Sequence, residues 1–561
     1  MGEAAAGTPA HVFIARGDLF QIAADAIVVP TDAAGYIEPG WRGPLEAAFG
    51  WDLGSGRLPQ HVKQDRPEVR PDDREVWFLP TGVIGPDSVF DPGDDAWSHA
   101  VGVLREVLLR FGHDVAEHLG RTGQEPVGGR ARSLIAVPLL GSEAGGFRRQ
   151  FRRYAAELLG ILREAAELAG ADVLLVIHGG AERAAAFEAL CRYERRKLAL
   201  VPTRDVLAER WERAPAARSD TTEAVNLGLL FDAARDGRLV PFFGAGVSMA
   251  SGAAGWNELL DRVEGDPDRS DGEEGRHRAL VRELDPFDRA QVAENRLTRP
   301  ELLQRLEASL TEVPLSLQHV LLASLRPRDA ITTNFDDAYE RAAEAAGFGR
   351  VAVMPSANAE LRLLKLHGSL HTPQMPPVLT RDQLIEHQLG LGPLRGALQM
   401  LLLTGHVVFI GYGLADPDLQ AAIHEVRQIR RQVGTEEERT LATALQVTET
   451  PALGLLWSPT LQVLWPRGGR ESDRRGPNDT GDQRPDIRSR ELEILLDALA
   501  DETALAEVPV LAFEDHELDA SERELRERLE GLAAHFANKP VPQHVRELLV
   551  AYGQTRPVPA T

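Results

Sequence analysis

Four short segments in the middle of this 561-residue chain combine residue types that can hold a phosphorylated ligand and do acid–base work. The first, LVPFFGAGVSMASG, sets Gly244, Ala245, Gly246 and Ser248 directly after an apolar run. Glycines at a strand-to-helix turn let a diphosphate approach the backbone, and the N–H groups with the helix N-terminus attract its charge. The second, ITTNFDDAYE, puts Thr333, Asn334 and Asp336 after a β-branched run. They would project from the carboxyl end of a strand, which is the ligand edge of an open α/β sheet. The third, LLKLHGSLH, ends an apolar run at His367 and Gly368, so that an imidazole able to take a proton stands beside a residue permitting close approach. The fourth, HVVFIGYGLADPDLQ, ends a run at Gly411 and Tyr412 and opens a helix with Asp416 as N-cap and Pro417 at its first position. Each segment alone also has a structural reading: a tight turn, a pair of helix caps, a packed histidine, a capped helix start.

The elements needed to position these residues are legible in the apolar pattern. Runs at Leu239–Phe243, Ala330–Thr332, Arg362–Leu366, Val407–Ile410 and near Leu461–Trp465 are short and continuous, as buried parallel strands are. Between Phe243 and Ala330 the pattern is mostly helical, and Arg467–Arg490 is a Gly, Arg, Asp and Pro tract without periodicity, read as a surface loop. An earlier series places strands at Ala26–Val29, Val76–Leu79, Leu134–Leu140 and Val173–Ile177, with a helix over Phe151–Leu168 between the last two. Thr203–Thr222 lacks a strand signal and is read as the boundary between the two series. Near the end, Ser521 and Glu524 have capping-box spacing ahead of Leu525, Leu529 and Leu532. The expected organisation is therefore an α/β domain over 1–205, a linker over 206–221, a second α/β domain over 222–505 and a helical tail over 506–561.

Bulk properties exclude several classes of function. Hydrophobic residues at 43% and charged residues at 26% are ordinary for a folded globular chain. The 62 basic and 85 acidic side chains leave a net charge of −23, which opposes phosphate backbones and anionic lipid, so nucleic acid is a disfavoured partner. Cys191 is the one cysteine, which rules out an internal disulfide and a multi-cysteine zinc site. With no signal-peptide pattern at the start and no long apolar run, no membrane association is expected and the default location is cytoplasmic.

The ordered motifs GAGxSxxSG, TTNFD, KLHGS and FIGYGLADPDL resemble the sirtuin family, over Thr222–Asp501. TTNFD and FIGYGLADPDL are more narrowly similar to the bacterial sirtuin-like branch of antiviral defence proteins, whose members typically hydrolyse NAD. The resemblance implies a Rossmann-like parallel sheet with a helical insertion. It implies that Gly244, Ala245, Gly246 and Ser248 cradle the NAD phosphates. Asn334 and Asp336 would face the nicotinamide ribose with Thr333 beside them, His367 would act as general base, and Gly411 and Tyr412 would line the adenosine side. Deacetylating sirtuins carry a four-cysteine zinc module between the first two motifs, and this chain has no cysteine there. Water is therefore the expected acceptor, and no metal is expected.

FIARGDLFQIAADAIVVPTDAAG, SLIAVPLLGSEAGGF and ADVLLVIHGGAERAAAFEAL resemble the macrodomain family, which binds ADP-ribose and related nucleotides. The resemblance implies a macrodomain-like α/β/α layer with an ADP-ribose-like effector near Asp18, Asp32 and the loop containing Gly141, Ser142, Gly145 and Gly146. Asp32 stands where that family carries asparagine, and IEPGWRG replaces its glycine-rich first loop. The whole then implies an NAD hydrolase of antiphage defence that depletes NAD under control of the macrodomain-like half, with a phage-derived trigger and homo-oligomeric assembly. Two alternatives stand beside it: a protein ADP-ribosyltransferase or deacylase, and a non-catalytic NAD or ADP-ribose sensor.

Overall fold

Continuous β-branched and aliphatic runs can be buried on both faces only in a parallel sheet covered by helices, and the chain builds two such sheets. A computed structural model describes residues 9–63, 66–70, 74–82, 95–141, 151–178, 181–215, 225–264, 280–353, 359–372, 374–390, 392–414, 416–433, 440–467, 487–505 and 520–536, with 542, 545 and 549. They fall into two units, one of 1–202, 345–347 and 497–561, the other of 203–344 and 348–496.

In the first unit the strands are β1 (Val12–Arg16), β2 (Ala26–Asp32), β3 (Glu68–Val69), β4 (Glu75–Gly82), β5 (Leu134–Pro138) and β6 (Asp172–Ile177), in the order β1-β6-β5-β2-β4-β3. Every pairing is parallel except β3 with β4. The expected strand to Leu140 stops at Pro138, and β1 and β3 add to the four strands read from the sequence. The helices Asp95–Thr122 and Phe151–Ala169 bury Phe111, Tyr154, Leu158 and Leu162 in a core shared with Val28, Trp77 and Leu175.

A buried ionic cluster fastens Asp497 and Asp501, on the helix Ile487–Leu505, to this unit. Arg192 Nη1 donates to Asp497 Oδ1 at 3.0 Å and to Asp501 Oδ1 at 2.8 Å, and Arg195 Nη1 donates to Asp497 Oδ2 at 2.6 Å. His11 Nε2 lies 2.8 Å from Asp497 Oδ2. Glu188 extends the cluster to Arg16, whose Nε is 2.7 Å away.

The second unit contains β7 (Trp211–Arg213), β8 (Leu239–Phe243), β9 (Asp329–Thr332), β10 (Val351–Ala352), β11 (Leu361–Lys365), β12 (His406–Ile410), β13 (Ala442–Leu445) and β14 (Leu461–Pro466). Their order is β10-β11-β9-β8-β12-β13-β14-β7, parallel throughout except for β7. Counted from β8, the run β11-β9-β8-β12-β13-β14 is the doubly wound order, and its direction reverses between β8 and β12, where such folds hold their ligands. The segment expected to be a linker instead contains the helix Arg204–Glu209, capped by Thr203, and β7 with Trp211 fully buried. Strand β13 carries only Ala, Thr, Ala and Leu, too weak a pattern to read unaided. The insertion between β8 and β9 is helical, over Trp256–Glu264, Pro286–Arg296, Arg299–Leu310 and Leu317–Ser324. Asp285 caps the second of these through Phe287 N, and Thr298 with Glu301 forms a capping box on the third. In the tail a helix spans Ala520–His535, so Ser521 falls inside it and not at the cap. The tract 468–486 lies outside the described residues. Among the described residues, no helix is long and apolar enough to cross a membrane.

Candidate active site

Strands β8, β9, β11 and β12 deliver all four motifs to the carboxyl edge of the second sheet. At the switch point the turns after β8 and β12 interlock. Gly244 N donates to Ile410 O and Gly246 N to Gly411 O, both at 3.1 Å, and Val247 N donates to Gly244 O. A Cβ on Gly244 would lie 2.7 Å from Gly411 O, and one on Gly246 would lie 2.7 Å from Gly411 Cα. Gly411 itself has φ 57°, a conformation costly for any other residue. The first demand on these glycines is therefore backbone against backbone, and the N–H groups of Gly244 and Gly246 are already spent on carbonyls. Gly246→Ala is expected to destabilise the chain by roughly 1–3 kcal/mol, as overpacking does, measurable as a lower urea midpoint. A midpoint equal to wild type would show that the β12 turn yields without cost.

Ser248 lies at the centre of a buried polar network. Its Oγ donates to Asp336 Oδ2 at 2.9 Å, accepts from Asn334 Nδ2 at 3.1 Å and lies 3.4 Å from His319 Nε2. Asn334 Nδ2 also donates to Gly244 O at 3.3 Å, which fixes the orientation of the carboxamide, since a carbonyl can only accept. Asp336 Oδ1 accepts from Ala338 N at 3.1 Å at the start of the helix Ala338–Ala345. Asp336 is thus a helix cap and a network member at once. Thr333 N reaches Phe243 O at 3.4 Å, tying the β9 turn to β8.

His367, after β11, places Nε2 2.7 Å from Asp416 Oδ2. Neither atom makes a well-aligned hydrogen bond, so the contact is electrostatic. Asp416 Oδ1 meanwhile accepts from Asp418 N at 2.8 Å and caps the helix Pro417–Val433. Burial pushes the Asp416 carboxyl up, but His367 and the N–H groups of Asp418 and Leu419 outweigh it and hold the carboxyl below its ordinary range. Gly368 has φ 80°, and a Cβ there would strike Pro376 O at 2.3 Å. Leu370 N reaches Phe335 O at 3.4 Å, joining the β11 and β9 turns. Tyr412 packs its ring against Phe242, 4.7 Å between centroids, and burial with the Asp416 charge drives its phenol well above the usual range.

Two participants, His319 and Lys365, carry no sequence signal for the site, and a third, Asp416, carries only that of a helix cap. His319 sits three residues after Ser316, a spacing that carries a capping-box signal. Lys365, fully buried, donates to Asp336 O and to Glu340 Oε1, the latter at 2.7 Å, and so holds the β9 turn from below.

In the first unit, Asp18 is occupied by its own loop, accepting from Phe20 N and Gln21 Nε2, both at 3.0 Å. Asp32 closes an Asx turn on Ala34 N and Tyr36 N. Gly141 has φ 70°, whereas Ser142, Gly145 and Gly146 lie outside the described residues. Among the described residues, no group of three or more His, Cys, Asp or Glu side chains is placed to hold a metal.

Residues 328–452, which span the turns after β9, β11 and β12, match the SIR2-like domain family. The chain carries a SIR2-like domain. It is 23% identical over 218 residues to Defense-associated sirtuin 2 of Bacillus subtilis, covering 36% of this chain and 20% of that protein. It is 28% identical over 213 residues to the NAD(+) hydrolase ThsA of Enterococcus faecium, covering 36% of this chain and 42% of that protein. The chain therefore spans less than half the length of these curated relatives. An Oceanobacillus iheyensis macrodomain aligns with 33% of this chain and 91% of its own at 15% identity, with a TM-score of 0.22.

Proposed function

We propose that the chain is an NAD hydrolase that cleaves the bond between nicotinamide and ribose, releasing nicotinamide and ADP-ribose. The observation that supports this most is that the four turns touch one another. Gly246 meets Gly411, Ser248 joins Asn334 and Asp336, Phe335 meets Leu370, and His367 faces Asp416. The likeness to proteins named NAD(+) hydrolase supports it further.

In this reading Gly244, Ala245 and Gly246 shape the turn facing the diphosphate, and Asn334 turns its Oδ1 to the ribose hydroxyls. Departure of nicotinamide takes the electron pair of the C–N bond, neutralising the pyridinium and leaving an oxocarbenium-like ribose. Water then bonds to the anomeric carbon and gives its proton to His367, which passes it to solvent. Because Asp416 faces Nε2, the free lone pair belongs on Nδ1. Depletion of NAD in antiphage defence, control by the first unit through an ADP-ribose-like nucleotide, a phage-derived trigger and self-assembly complete the proposal.

Incubation of purified protein with NAD, with and without an acetylated peptide, tests it. The expected products are nicotinamide and free ADP-ribose in equal amounts, unchanged by EDTA. Strict dependence on added zinc, or transfer of ADP-ribose or an acetyl group involving the peptide, would replace hydrolysis with the transferase or deacylase reading; binding without turnover would leave a sensor.

A further inference from the structure

The capping box formed by Ser316 and His319 has a consequence for the site. Ser316 Oγ accepts from His319 N at 3.1 Å and lies 3.0 Å from His319 Nδ1, while Ser316 N donates to that same Nδ1 at 3.1 Å; the backbone hydrogen cannot turn away, so Nδ1 accepts and the Ser316 hydroxyl hydrogen can only be donated to it as well. With Nδ1 used as an acceptor, the proton of a neutral imidazole must be on Nε2. That nitrogen faces Ser248 Oγ. A hydroxyl has one hydrogen and two lone pairs. The carboxylate of Asp336 can only accept, so the hydrogen goes there. Asn334 Nδ2 fills one lone pair, and the other is left for His319.

We infer that His319 is a positioning residue: locked by Ser316 as the tautomer bearing hydrogen on Nε2, it turns the Ser248 hydroxyl toward Asp336 and thereby fixes the carboxamide of Asn334. The opposite tautomer would present a second acceptor to Ser248, whose single hydrogen cannot serve both His319 and Asp336. A doubly protonated ring would direct an N–H at the Ser316 N–H. Burial resists that state, pushing the imidazole down to about 4 against the opposing pull of Asp336. With Ser248 so oriented, both amide hydrogens of Asn334 have fixed acceptors, Ser248 Oγ and Gly244 O. Its Oδ1 forms no hydrogen bond to protein among the described residues and is presented in one orientation. Ser248 thus serves the network, and need not touch a phosphate. This inference rests on the NAD reading.

A capping box accepts glutamine at this position, so His319→Gln keeps the bond to Ser316 N while removing the donor to Ser248. The expected result in the full chain is an unchanged Tm, a kcat for nicotinamide release lowered about tenfold, the rate equivalent of one hydrogen bond, and an NAD affinity by calorimetry within about twofold of wild type. Ser248→Ala is expected to lower kcat with the same small change in affinity, and the double variant to fall no further than the worse single one. A fully active His319→Gln would reduce His319 to a helix cap. Losses that multiply in the double variant would separate the two residues, and a Ser248→Ala variant that lost NAD affinity at unchanged kcat would return Ser248 to a phosphate role. Ser248→Ala decides the matter by that split even if His319→Gln does not fold. A wild type that released no nicotinamide would instead remove the NAD reading, and this inference with it.

Discussion

His367→Ala is expected to lower nicotinamide release by roughly 10²–10⁴-fold, the contribution of a positioned base, while the circular dichroism spectrum and Tm stay close to wild type. The side chain is 12% exposed and stands at a strand end, facing Asp416 and the edge of the Phe287 ring, with centroids 6.0 Å apart. Its backbone keeps the loop in place independently, because His367 O accepts from Val378 N at 2.8 Å and Gly368 lies against Pro376. Truncation to alanine therefore removes the imidazole without releasing the turn. The loss should fall on kcat, since proton transfer matters only in the transition state. Turnover within a few-fold of wild type would exclude His367 as the base, and a large rise in KM at constant kcat would make it a binding residue.

How much of this was legible beforehand depended on where the signal lay. Strands β8, β9, β11, β12 and β14 announce themselves because burial on both faces demands unbroken apolar runs, and the motifs follow them directly. β13 escaped notice because Ala442 and Ala444 carry no β propensity, and β7 because three residues show no period; both are defined by their pairing with β14. The residues of the four middle motifs share one edge of the second sheet, but the sequence could not show how they are held. Lys365 carries no signal of its own within the run Arg362–Leu366, yet it is the buried support under Asp336. Asp416 looked like a helix cap and is one, and only the approach of the β11 turn gives its second oxygen to His367. Gly244 and Gly246 suggested a ligand passing close by, whereas the nearest neighbour is the backbone of Gly411. Contacts across chain separations of this size leave no local trace.

Asp497→Ala is expected to cost about 3–5 kcal/mol, the penalty for leaving a buried charge without its partner. Asp497 is 0% exposed, as is Arg195, and Arg192 is 2% exposed, so water cannot replace the lost carboxylate without opening the core. The partners stand on distant parts of the chain: His11 just before β1, Arg192 and Arg195 on the helix Ala181–Lys197. The variant leaves Arg195 with Asp501 as its carboxylate partner, Arg192 with Asp501 and Glu188, and His11 without its hydrogen-bond partner at Nε2. A chain begun at residue 215 would suffer the converse fault, with Asp497 and Asp501 deprived of all three partners, so such a truncation reports on this cluster as much as on any control exerted by the first unit. The pH dependence has a definite sign. Burial holds the His11 imidazole below its ordinary value against the pull of Asp497, so its stabilisation is complete above about 6.5 and declines as the pH falls toward its folded value. Arg195, His11 and Arg192 together overcome burial to hold the Asp497 carboxyl well below the carboxylate range. Its contribution is complete above about 3.9 and is lost as the pH falls through the folded value. Wild type should therefore lose stability progressively on acidification, and Asp497→Ala should show a shallower dependence below about 4. Urea unfolding followed from pH 7 to pH 3 checks both. A loss under about 1 kcal/mol at pH 7, with an acid limb parallel to wild type, would mean that removing Asp497 leaves no uncompensated charge on Arg192 and Arg195 and that the cluster is solvated.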